Sequence, residues 1–445
     1  MWSMDLRTFI SKLEAEGSLV KIVKEVSVEY EVASILAALD GNPVYFKKIK
    51  ESKIPVVGNI VSSRDLVAKA LRIRKEEIIS RLNWAMRNLK EPEVLDSGPC
   101  QEVEEVNVNL GILPVLKHMP RDRGRYVTSA VCILKDPETG IRNSSFHRLL
   151  LLDERRFIAR IVEGRGTDTI LKRSGGEAYV AICIGAPIQV LISAATPLPH
   201  GVDELSMANA LYPTPLVKCR TIDIEVPAET EIVLEGKITR EKAPEGPFLD
   251  ITETYDIERE QPIIEVKRIT HRRNPIYQAL LPGRNEHKIL MGMPIESVIY
   301  SEVNKVCRCI NVLITPGGCS WLHAVIQIEK KHNDDPKKAI ETAFKTHKSL
   351  KHCIVVDEDV DIYDPNEVEW AIATRVQADK DIYIYTNQRG SSLDPSAKHI
   401  PGEKPITAKA GIDATIPIEG KSEKFRKQKY KSINLLEYIQ EKQGY

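Results

Sequence analysis

The segment 243–250 has the residue types of an acid–base site. It reads Ala-Pro-Glu-Gly-Pro-Phe-Leu-Asp, so Glu245 and Asp250 lie five positions apart around a Gly-Pro pair. Proline restricts φ and glycine relaxes it, so the backbone is expected to kink here and not to form a helix. Two carboxylates in one dry cavity can have their pKa values pushed apart, which makes one of them a proton donor. For the motif alone, a solvated turn is the alternative.

A second polar segment, Asn-Ser-Ser-Phe-His-Arg, covers residues 143–148 at the entry to a predicted strand. Along an extended strand Asn143 and Arg148 fall on opposite faces, so both reach one ligand only if the backbone bends. The guanidinium fork of Arg148 matches a carboxylate bidentately and would clamp an anionic substrate. A polar strand edge is the alternative interpretation.

Glu204 follows the turn Thr-Pro-Leu-Pro at residues 196–199. Its carboxylate could bind a hard cation, because such ions prefer oxygen ligands. It could equally be an ordinary acidic residue in the first turn of a helix, where it would interact favourably with the helix dipole.

Composition limits the class of protein. A chain of 445 residues is expected to form two or three domains, and 63 basic residues balance 63 acidic ones, which gives no global attraction to nucleic acid or to an anionic membrane. No apolar run is long enough for a membrane span, and no secretory signal is recognisable. Eight cysteines without a Cys-x-x-Cys pair are expected to be free thiols, which favours a cytoplasmic location.

The chain divides into three predicted domains. Residues 1–105 are expected to form an α/β domain that opens with a helix capped by Ser3 and ending at Gly17. Residues 106–300 contain short β-like runs separated by Pro and Gly, which is typical of a barrel or sandwich. The strands expected there are Tyr126–Leu134, Arg148–Asp153, Ala178–Ile184, Gln189–Ser193, Ile232–Ile238 and Ile263–Ile269.

Residues 301–445 alternate strands and helices again and are expected to form a C-terminal α/β domain. The basic stretch from Lys421 to Tyr445 ends in a predicted terminal helix with Ile433, Leu436 and Ile439 on one side. Such an apolar stripe at a chain end needs a partner surface, so this domain is expected to mediate homo-oligomerisation, as a dimer or a hexamer.

These segments together resemble the UbiD family of prenylated-FMN-dependent decarboxylases over nearly the whole chain. Asn143 and Arg148 are similar to the family's metal-binding Asn and catalytic Arg, and residues 245–250 are similar to its Glu-Gly-Pro-aromatic-Gly-acid motif. Segments 216–219, 224–228 and 231–236 resemble the strands that precede this motif. Residues 355–360 and 409–415 resemble its C-terminal signatures. The resemblance implies a central split β-barrel that binds prenylated FMN.

By this resemblance Arg148, Glu245 and Asp250 form a catalytic network in which Asp250 protonates the product carbon. Asn143 and Glu204 match two of the three ligands of the divalent ion, expected to be Mn²⁺, that holds the cofactor phosphate; K⁺ is a further candidate ion. The family's third ligand is a histidine, whereas this chain has Gly164 at that place. Water or Glu163 would replace it, or Arg165 would neutralise the phosphate. The implied cofactor-binding residues are Asn143, Ser145, His147, Arg148, Arg165 and Lys351.

The resemblance also implies a non-oxidative decarboxylation of an α,β-unsaturated acid, with a flavin prenyltransferase as the supplier of the cofactor. The preferred substrate is trans-anhydromevalonate 5-phosphate, converted to isopentenyl phosphate in archaeal isoprenoid synthesis. Arg121, Arg123, Arg125 and His147 would supply cations for its phosphate, unless the three arginines are only a loop surface. The alternatives are a 4-hydroxybenzoate or polyprenyl-hydroxybenzoate decarboxylase of quinone synthesis, and a non-catalytic flavin-binding subunit.

Overall fold

The computed structural model describes residues 5–400, 403–420, 423–428 and 430–434. Within these residues no helix combines the length and the apolar character that crossing a membrane requires. All eight cysteines are free, as predicted.

The N-terminal part alternates short helices and strands. Its first helix, α1 (Leu6–Ala15), is capped by Asp5, whose carboxylate accepts a hydrogen bond from the Thr8 amide at 2.8 Å. The predicted cap, Ser3, is therefore wrong, and that residue lies outside the described ranges. The remaining elements are β1 (Val20–Ile22), α2 (Glu31–Ala38), β2 (Val44–Phe46), β3 (Val56–Gly58), α3 (Arg64–Leu71) and α4 (Ile78–Arg87).

The central part is dominated by strands. Its first elements are β4 (Val94–Leu95), β5 (Val103–Glu105), β6 (Tyr126–Val127), β7 (Val131–Lys135), β8 (Arg142–Phe146), β9 (Leu149–Leu151), β10 (Arg156–Ala159), α5 (Gly166–Arg173) and β11 (Ala178–Ile184). They are followed by α6 (Ile188–Ala195), α7 (Glu204–Leu211), β12 (Leu216–Lys218), β13 (Glu225–Pro227), β14 (Ile232–Glu245), β15 (Phe248–Leu249), β16 (Tyr255–Asp256), β17 (Arg259–His271) and β18 (Tyr277–Gln278).

A nine-stranded antiparallel sheet organises this part as a curled half-barrel. Its order is β6-β9-β10-β17-β14-β11-β7-β8, with β5 added to β17. Alternate residues of β7 enter two different cores, since Val131 and Ile133 pack into one cluster while Cys132 and Leu134 pack into the other. Burial on both faces explains why these strands are continuously apolar in sequence.

The predicted strand Gln189–Ser193 is wrong, because these residues lie in helix α6. Every residue from Ile188 to Ala194 is buried. A short segment that is apolar and buried on all sides shows no helical or strand period, so its sequence pattern does not separate the two structures. Of the other expected strands, Ala178–Ile184 is β11, whereas Tyr126–Leu134 is broken into β6 and β7 and only Leu149–Leu151 of Arg148–Asp153 is a strand. Those at 232–238 and 263–269 are parts of the much longer β14 and β17.

The C-terminal part contains a five-stranded mixed sheet in the order β19-β20-β21-β23-β22. A 19-residue helix, α8, leads into it from the central part and packs against α4, β19 and α9. Residues 430–434 have no regular secondary structure, and Leu436 and Ile439 of the predicted terminal helix lie outside the described residues. The elements are α8 (Asn285–Val303), β19 (Arg308–Ile314), β20 (His323–Glu329), α9 (Asp335–Thr346), β21 (His352–Asp357), α10 (Pro365–Arg375), α11 (Ala378–Asp381), β22 (Ile382–Arg389) and β23 (Ile406–Ala414).

Candidate active site

The predicted kink follows directly on the long strand β14. Glu245 is the last residue of β14, and Gly246 has φ +90°, a conformation that favours glycine. A Cβ at Gly246 would lie 2.9 Å from the Ile257 carbonyl oxygen, so a side chain does not fit there. The chain then returns through the short hairpin of β15 and β16. Residues 245–256 are called the acid hairpin below.

Arg148, in the turn between β8 and β9, brings the acids of this hairpin together. Its guanidinium donates to both oxygens of Glu245 at 2.8 and 2.9 Å, and to Asp250 Oδ2 at 3.0 Å. It also donates to Asp256 Oδ2 at 3.0 Å. The structure thus joins the three residues predicted as catalytic, and it adds Asp256, which the sequence did not indicate.

The three acids differ in exposure and charge. The side chain of Glu245 is fully buried and that of Asp256 is 7% exposed, whereas that of Asp250 is 19% exposed. Burial would raise the pKa of Asp256, but the charges of Arg148 and Arg259 outweigh it and hold this pKa below its usual value. Asp256 is therefore a fixed anion, and Asp250 is the acid that a substrate can reach most easily.

The start of helix α8 holds the turn that carries Asp250. Lys288 pairs with Glu253 at 2.6 Å, and a Cβ at Gly283 would lie 3.1 Å from the Asp250 carbonyl oxygen. Between them, His287 accepts the Gly283 N–H at its Nδ1 over 3.1 Å, so a neutral ring carries its proton on Nε2. Burial lowers the pKa of His287, although the neighbouring charge of Asp250 raises it. His287 is a neutral imidazole near Asp250.

Sequence reasoning missed both Asp256 and His287. Asp256 lies beyond the recognisable motif, and only the hairpin geometry returns it to Arg148. His287 stands in the polar run Gly-Arg-Asn-Glu-His at residues 283–287, directly before an apolar helix. That run was the one available signal, since polar groups at the start of a helix often form part of a site.

Asn143 and Glu204, the two predicted metal ligands, lie side by side. The Asn143 amide donates to Glu204 Oε1 at 3.4 Å, and the Ser144 N–H donates to Glu204 Oε2 at 2.8 Å. Burial raises the pKa of Glu204 to about 7. Asn143 Oδ1 is buried and has no hydrogen-bond partner. An orphaned amide oxygen beside a buried carboxylate fits a hard divalent cation.

The loop 163–166 carries the residues that were expected to replace the third ligand. Gly164 is exposed with φ +74°, and the exposed Glu163 side chain lies 3.6 Å from Arg160. In the described part of the chain no group of three or more His, Cys, Asp or Glu side chains could hold a metal ion. Water, Glu163 and Arg165 therefore stay the predicted replacements for the third ligand.

Ser145 and His147 form a polar cluster with Thr167. His147 Nδ1 donates to the Arg160 carbonyl at 2.9 Å, and its Nε2 lies 2.9 Å from Thr167 Oγ1 and 3.1 Å from Ser145 Oγ. Burial lowers the pKa of His147 to about 4, so the ring is neutral. The expectation that His147 supplies a cation for a substrate phosphate is therefore wrong, because desolvation disfavours the charged ring.

Two arginines border this cluster. Arg160 is buried, and its pKa is lowered by burial and by the like charges of Arg259 and Arg148. Its one ion pair among the described residues is the 3.6 Å contact with exposed Glu163. Arg165 occupies the N-cap position of α5. Arg160 was not predicted; as a buried cation whose ion pair among the described residues is with an exposed acid, it suits an anionic ligand.

Lys351, the last predicted cofactor residue, lies in the C-terminal part. Its ammonium pairs with Asp394 at 3.0 Å and also hydrogen-bonds Ser396. Within the described residues no hydrogen bond or ion pair joins Lys351 to Arg148, Asn143 or Glu204. The structure thus joins the acids to Arg148 and Asn143 to Glu204, and among the described residues no hydrogen bond or ion pair connects Lys351 to either pair of predictions.

Known proteins resemble this chain over nearly its whole length. The models of the 3-octaprenyl-4-hydroxybenzoate carboxy-lyase N-terminal domain, Rift-related domain and C-terminal domain match residues 10–86, 93–285 and 288–414. The chain is 41% identical over 432 residues to the anhydromevalonate phosphate decarboxylase of Methanothermobacter thermautotrophicus, covering 95% of this chain and 99% of the relative. It is 43% identical over 418 residues to that of Methanosarcina mazei, covering 93% and 96%.

Solved structures agree with these matches. The UbiD-class enzyme HmfF from Pelotomaculum thermopropionicum, in complex with FMN, has a TM-score of 0.92 at 37% identity and 98% coverage of both chains. An evolved dimeric form of HmfF in complex with prFMN has a TM-score of 0.89 at 35% identity, with 98% of this chain and 99% of that chain covered. The chain therefore belongs to the UbiD family of carboxy-lyases.

Proposed function

We propose that this protein is a prenylated-FMN-dependent decarboxylase that converts trans-anhydromevalonate 5-phosphate to isopentenyl phosphate. The cluster of Arg148, Glu245 and Asp250 carries the proposal, because it combines a carboxylate clamp with a reachable acid. Full-length relatives at 41% and 43% identity are named for this activity, which supports the choice of substrate.

The bound flavin would supply the electron sink that loss of CO₂ requires. Arg148 would hold the substrate carboxylate near the reacting atoms, beside Asp250, to which its guanidinium donates. Asp250 would give its proton to the product carbon as general acid. Glu245 holds the guanidinium in place through two hydrogen bonds, and His287 lies where it can orient Asp250.

Asn143, Ser145, His147, Arg148, Arg165 and Lys351 are the proposed cofactor-binding residues. Asn143 and Glu204 would bind the divalent ion, Mn²⁺ being the preferred candidate and K⁺ a second ion. The orphaned Asn143 Oδ1 supports this assignment. A flavin prenyltransferase would supply the cofactor, and the protein would act as a cytoplasmic homo-oligomer.

The first experiment compares substrates. Holoenzyme reconstituted with prenylated FMN is assayed for CO₂ release from trans-anhydromevalonate 5-phosphate and from 4-hydroxybenzoate. We expect turnover of the phosphorylated acid. Turnover of 4-hydroxybenzoate alone would reject this substrate and favour the quinone-synthesis alternative, since the matched domains take their name from a 3-octaprenyl-4-hydroxybenzoate carboxy-lyase.

The second experiment tests the acid. Asp250→Asn keeps the size of the side chain but removes its proton, so kcat should fall about 10²- to 10⁴-fold while the flavin remains bound. Flavin absorbance after desalting is the control for cofactor binding. Unchanged CO₂ release in this variant would remove Asp250 from the mechanism. If the parent protein binds flavin but releases CO₂ from neither substrate, the alternative of a non-catalytic flavin-binding subunit is favoured.

A further inference from the structure

Arg160 stands directly opposite Arg148 in the central sheet. Strands β9 and β10 pair antiparallel, with Ala159 opposite Leu149 at the end of the ladder. The Arg160 N–H donates to the Arg148 carbonyl at 3.1 Å, which continues this register by one residue. Side chains that are directly opposite each other in an antiparallel pair project from the same face of the sheet. Arg160 and Arg148 therefore share one face of the half-barrel.

The acid hairpin packs against that same face. Ile158, two residues before Arg160, projects from the face that Arg160 occupies. It belongs to a buried cluster that includes its cross-strand partner Leu150 and also Phe248 of the hairpin. The Phe248 ring centroid in turn lies 5.3 Å from the guanidinium carbon of Arg148. The sheet thus places Arg160 on the side of the catalytic residues, one strand away from Arg148.

Arg160 differs from the neighbouring arginines in its counter-charges. Arg148 is opposed by three acids, and Arg259 pairs with Asp256 at 2.7 Å. Among the described residues the ion pair of buried Arg160 is with exposed Glu163, at 3.6 Å, and a pair with an exposed acid contributes little. Like charges directly opposite each other in a sheet also repel. A bound anion would offset both the burial of this cation and its repulsion by Arg148.

The substrate assigned above carries two anionic groups, a carboxylate at one end and a phosphate at the other. Resting on that proposed function, we infer that Arg160 binds the phosphate group of the substrate while Arg148 holds its carboxylate. Within the described residues the Arg160 guanidinium donates one hydrogen bond, to the Ile161 carbonyl. Its remaining N–H groups can therefore donate to phosphate oxygens, which an arginine fork matches well.

The phosphate of the flavin is the second source of the same chemistry. The cation proposed for it lies at Asn143 and Glu204, whereas Arg160 shares a face with Arg148 and the acid hairpin. The substrate must reach Asp250 on that hairpin, so the position of Arg160 favours the phosphate of the substrate. The experiment below separates the two sources.

The loop arginines predicted for the substrate phosphate have other contacts. The Arg121 guanidinium carbon lies 4.6 Å from the ring centroid of Tyr255. Tyr255 directly precedes Asp256 in β16, so its side chain leaves the opposite face from this acid of the catalytic cluster. Arg123 forms an ion pair with Glu258. These contacts agree with the alternative of a loop surface.

The test pairs two variants with two substrates in the prenylated-FMN holoenzyme. Arg160→Met removes the charge and keeps much of the volume, and Arg156→Met is the matched control in the same strand, since Arg156 is more exposed and pairs with Asp153. Each is assayed with trans-anhydromevalonate 5-phosphate and with the same acid lacking the phosphate. We expect Arg160→Met to raise KM for the phosphorylated acid about ten- to hundredfold, because charge-assisted hydrogen bonds are lost. Its kcat, and its kcat/KM for the unphosphorylated acid, should stay within a few fold of the parent, and Arg156→Met should match the parent on both.

A second variant and a stability measurement check the role of the side chain. Arg160→Lys keeps the charge without the fork and should recover part of the affinity. Replacing a buried cation by an apolar side chain of similar volume should leave Tm unchanged or raise it. A lowered Tm in Arg160→Met, with equal losses on both acids, would show a structural role and overturn the inference.

The remaining outcomes separate the inference from the function on which it rests. If the parent prefers the phosphorylated acid and Arg160→Met keeps that preference undiminished, the inference is wrong. It is also wrong if Arg160→Met loses flavin on desalting while the retained holoenzyme keeps the parent's KM, because Arg160 would then bind the cofactor phosphate. If the parent releases CO₂ from neither acid, calorimetric titration of the holoenzyme with the phosphorylated acid decides. Affinity that depends on Arg160 would reject the function and keep the phosphate site, and equal affinity in parent and variant would reject both.

Discussion

At the scale of single residues, the site depends on how the N–H groups of Arg148 are distributed among the three acids. Glu245 takes two of them from a fully buried position and so acts as a fixed support. Asp256 shares its charge with Arg259 at 2.7 Å and stays ionised. Only Asp250 combines a single hydrogen bond to Arg148 with a partly exposed side chain. The three acids are therefore not interchangeable.

Gly166 gives a test of the proposed cation site. A Cβ at this position would lie 1.9 Å from Asn143 Oδ1, so Gly166→Ala must displace the amide that is proposed to bind the ion. We expect the affinity for the divalent ion to fall about ten- to hundredfold, with loss of flavin on desalting. Metal content by mass spectrometry and flavin absorbance measure both effects.

Gly317→Ala is the matched control, because a Cβ at Gly317 meets no atom within 4 Å. It should retain metal and flavin like the parent protein. Equal retention in the Gly166 variant would mean that Asn143 is not a ligand.

Among the residues of the site, those inside a contiguous motif could be predicted from the sequence. Glu245 and Asp250 stand in one segment with Gly246 between them, and their relation to Arg148 followed from a family resemblance. Asp256 and His287 could not be predicted, because hairpin pairing and the docking of a helix bring them to the site. His147 was expected to carry a positive charge, but burial leaves its ring neutral. Burial is decided by the fold and could not be read from the residue's neighbours in sequence.

At the scale of elements, the start of α8 is fixed by its own buried acid. Glu286 is fully buried and accepts the N–H groups of Asn59 and Val61 at 2.9 and 3.1 Å. It thereby joins α8 to the loop after β3, one residue before His287. Burial raises the pKa of Glu286 to about 7, even though these hydrogen bonds lower it.

Glu286→Gln should change how stability depends on pH. A pKa raised in the folded state means that Glu286 stabilises the protein most at low pH and that this contribution is lost as pH rises from about 4.5 to about 7. Glutamine has no proton to lose there. Relative to the variant, the parent protein should therefore lose on the order of 3 kcal/mol of unfolding free energy over that window.

Urea unfolding at pH 5 and pH 8 measures this difference. Glu302→Gln near the other end of α8 is the control, because that side chain is 39% exposed and should leave the pH dependence unchanged. An equal pH dependence in the parent and the Glu286 variant would show that Glu286 does not ionise in this range.

Element prediction succeeded where the hydrophobic period was clear. Leu6, Phe9, Ile10 and Leu13, whose spacing is helical, form one buried face of α1. It failed at 188–195, where burial on every side removes the period. Strand lengths were also underestimated, because the polar outer ends of β14 and β17 are held by pairing with each other and not by apolar residues.

At the scale of the whole molecule, a buried ion pair joins the N-terminal and C-terminal parts. Arg64, at the start of α3, pairs with Glu296 of α8, and Glu296 also accepts the Ile314 N–H of β19 at 2.9 Å. Both side chains are buried, at 10% and 2% exposure. The consecutive elements α8 and β19 thus meet the sequence-distant α3 at one carboxylate, and no local pattern predicts such a contact.

Arg64→Met should destabilise the protein by about 3 kcal/mol, since it leaves the Glu296 carboxylate buried without a counter-charge. The double variant Arg64→Met, Glu296→Leu should recover much of this loss, because it also removes the unpaired charge. Urea unfolding followed by tryptophan fluorescence measures both. A double variant as unstable as the single one would show that packing, and not the unpaired charge, causes the loss.

The acid hairpin also has a consequence for the order of events during turnover. Three carboxylates surround the Arg148 guanidinium, Arg259 opposes only Asp256 among them, and the substrate arrives as a further anion. An incoming anion raises the pKa of its nearest acid. Asp250, the acid open to solvent, is the group able to take up a proton in response. Substrate entry would then itself load the proton donor, so that binding and proton uptake are a single linked equilibrium.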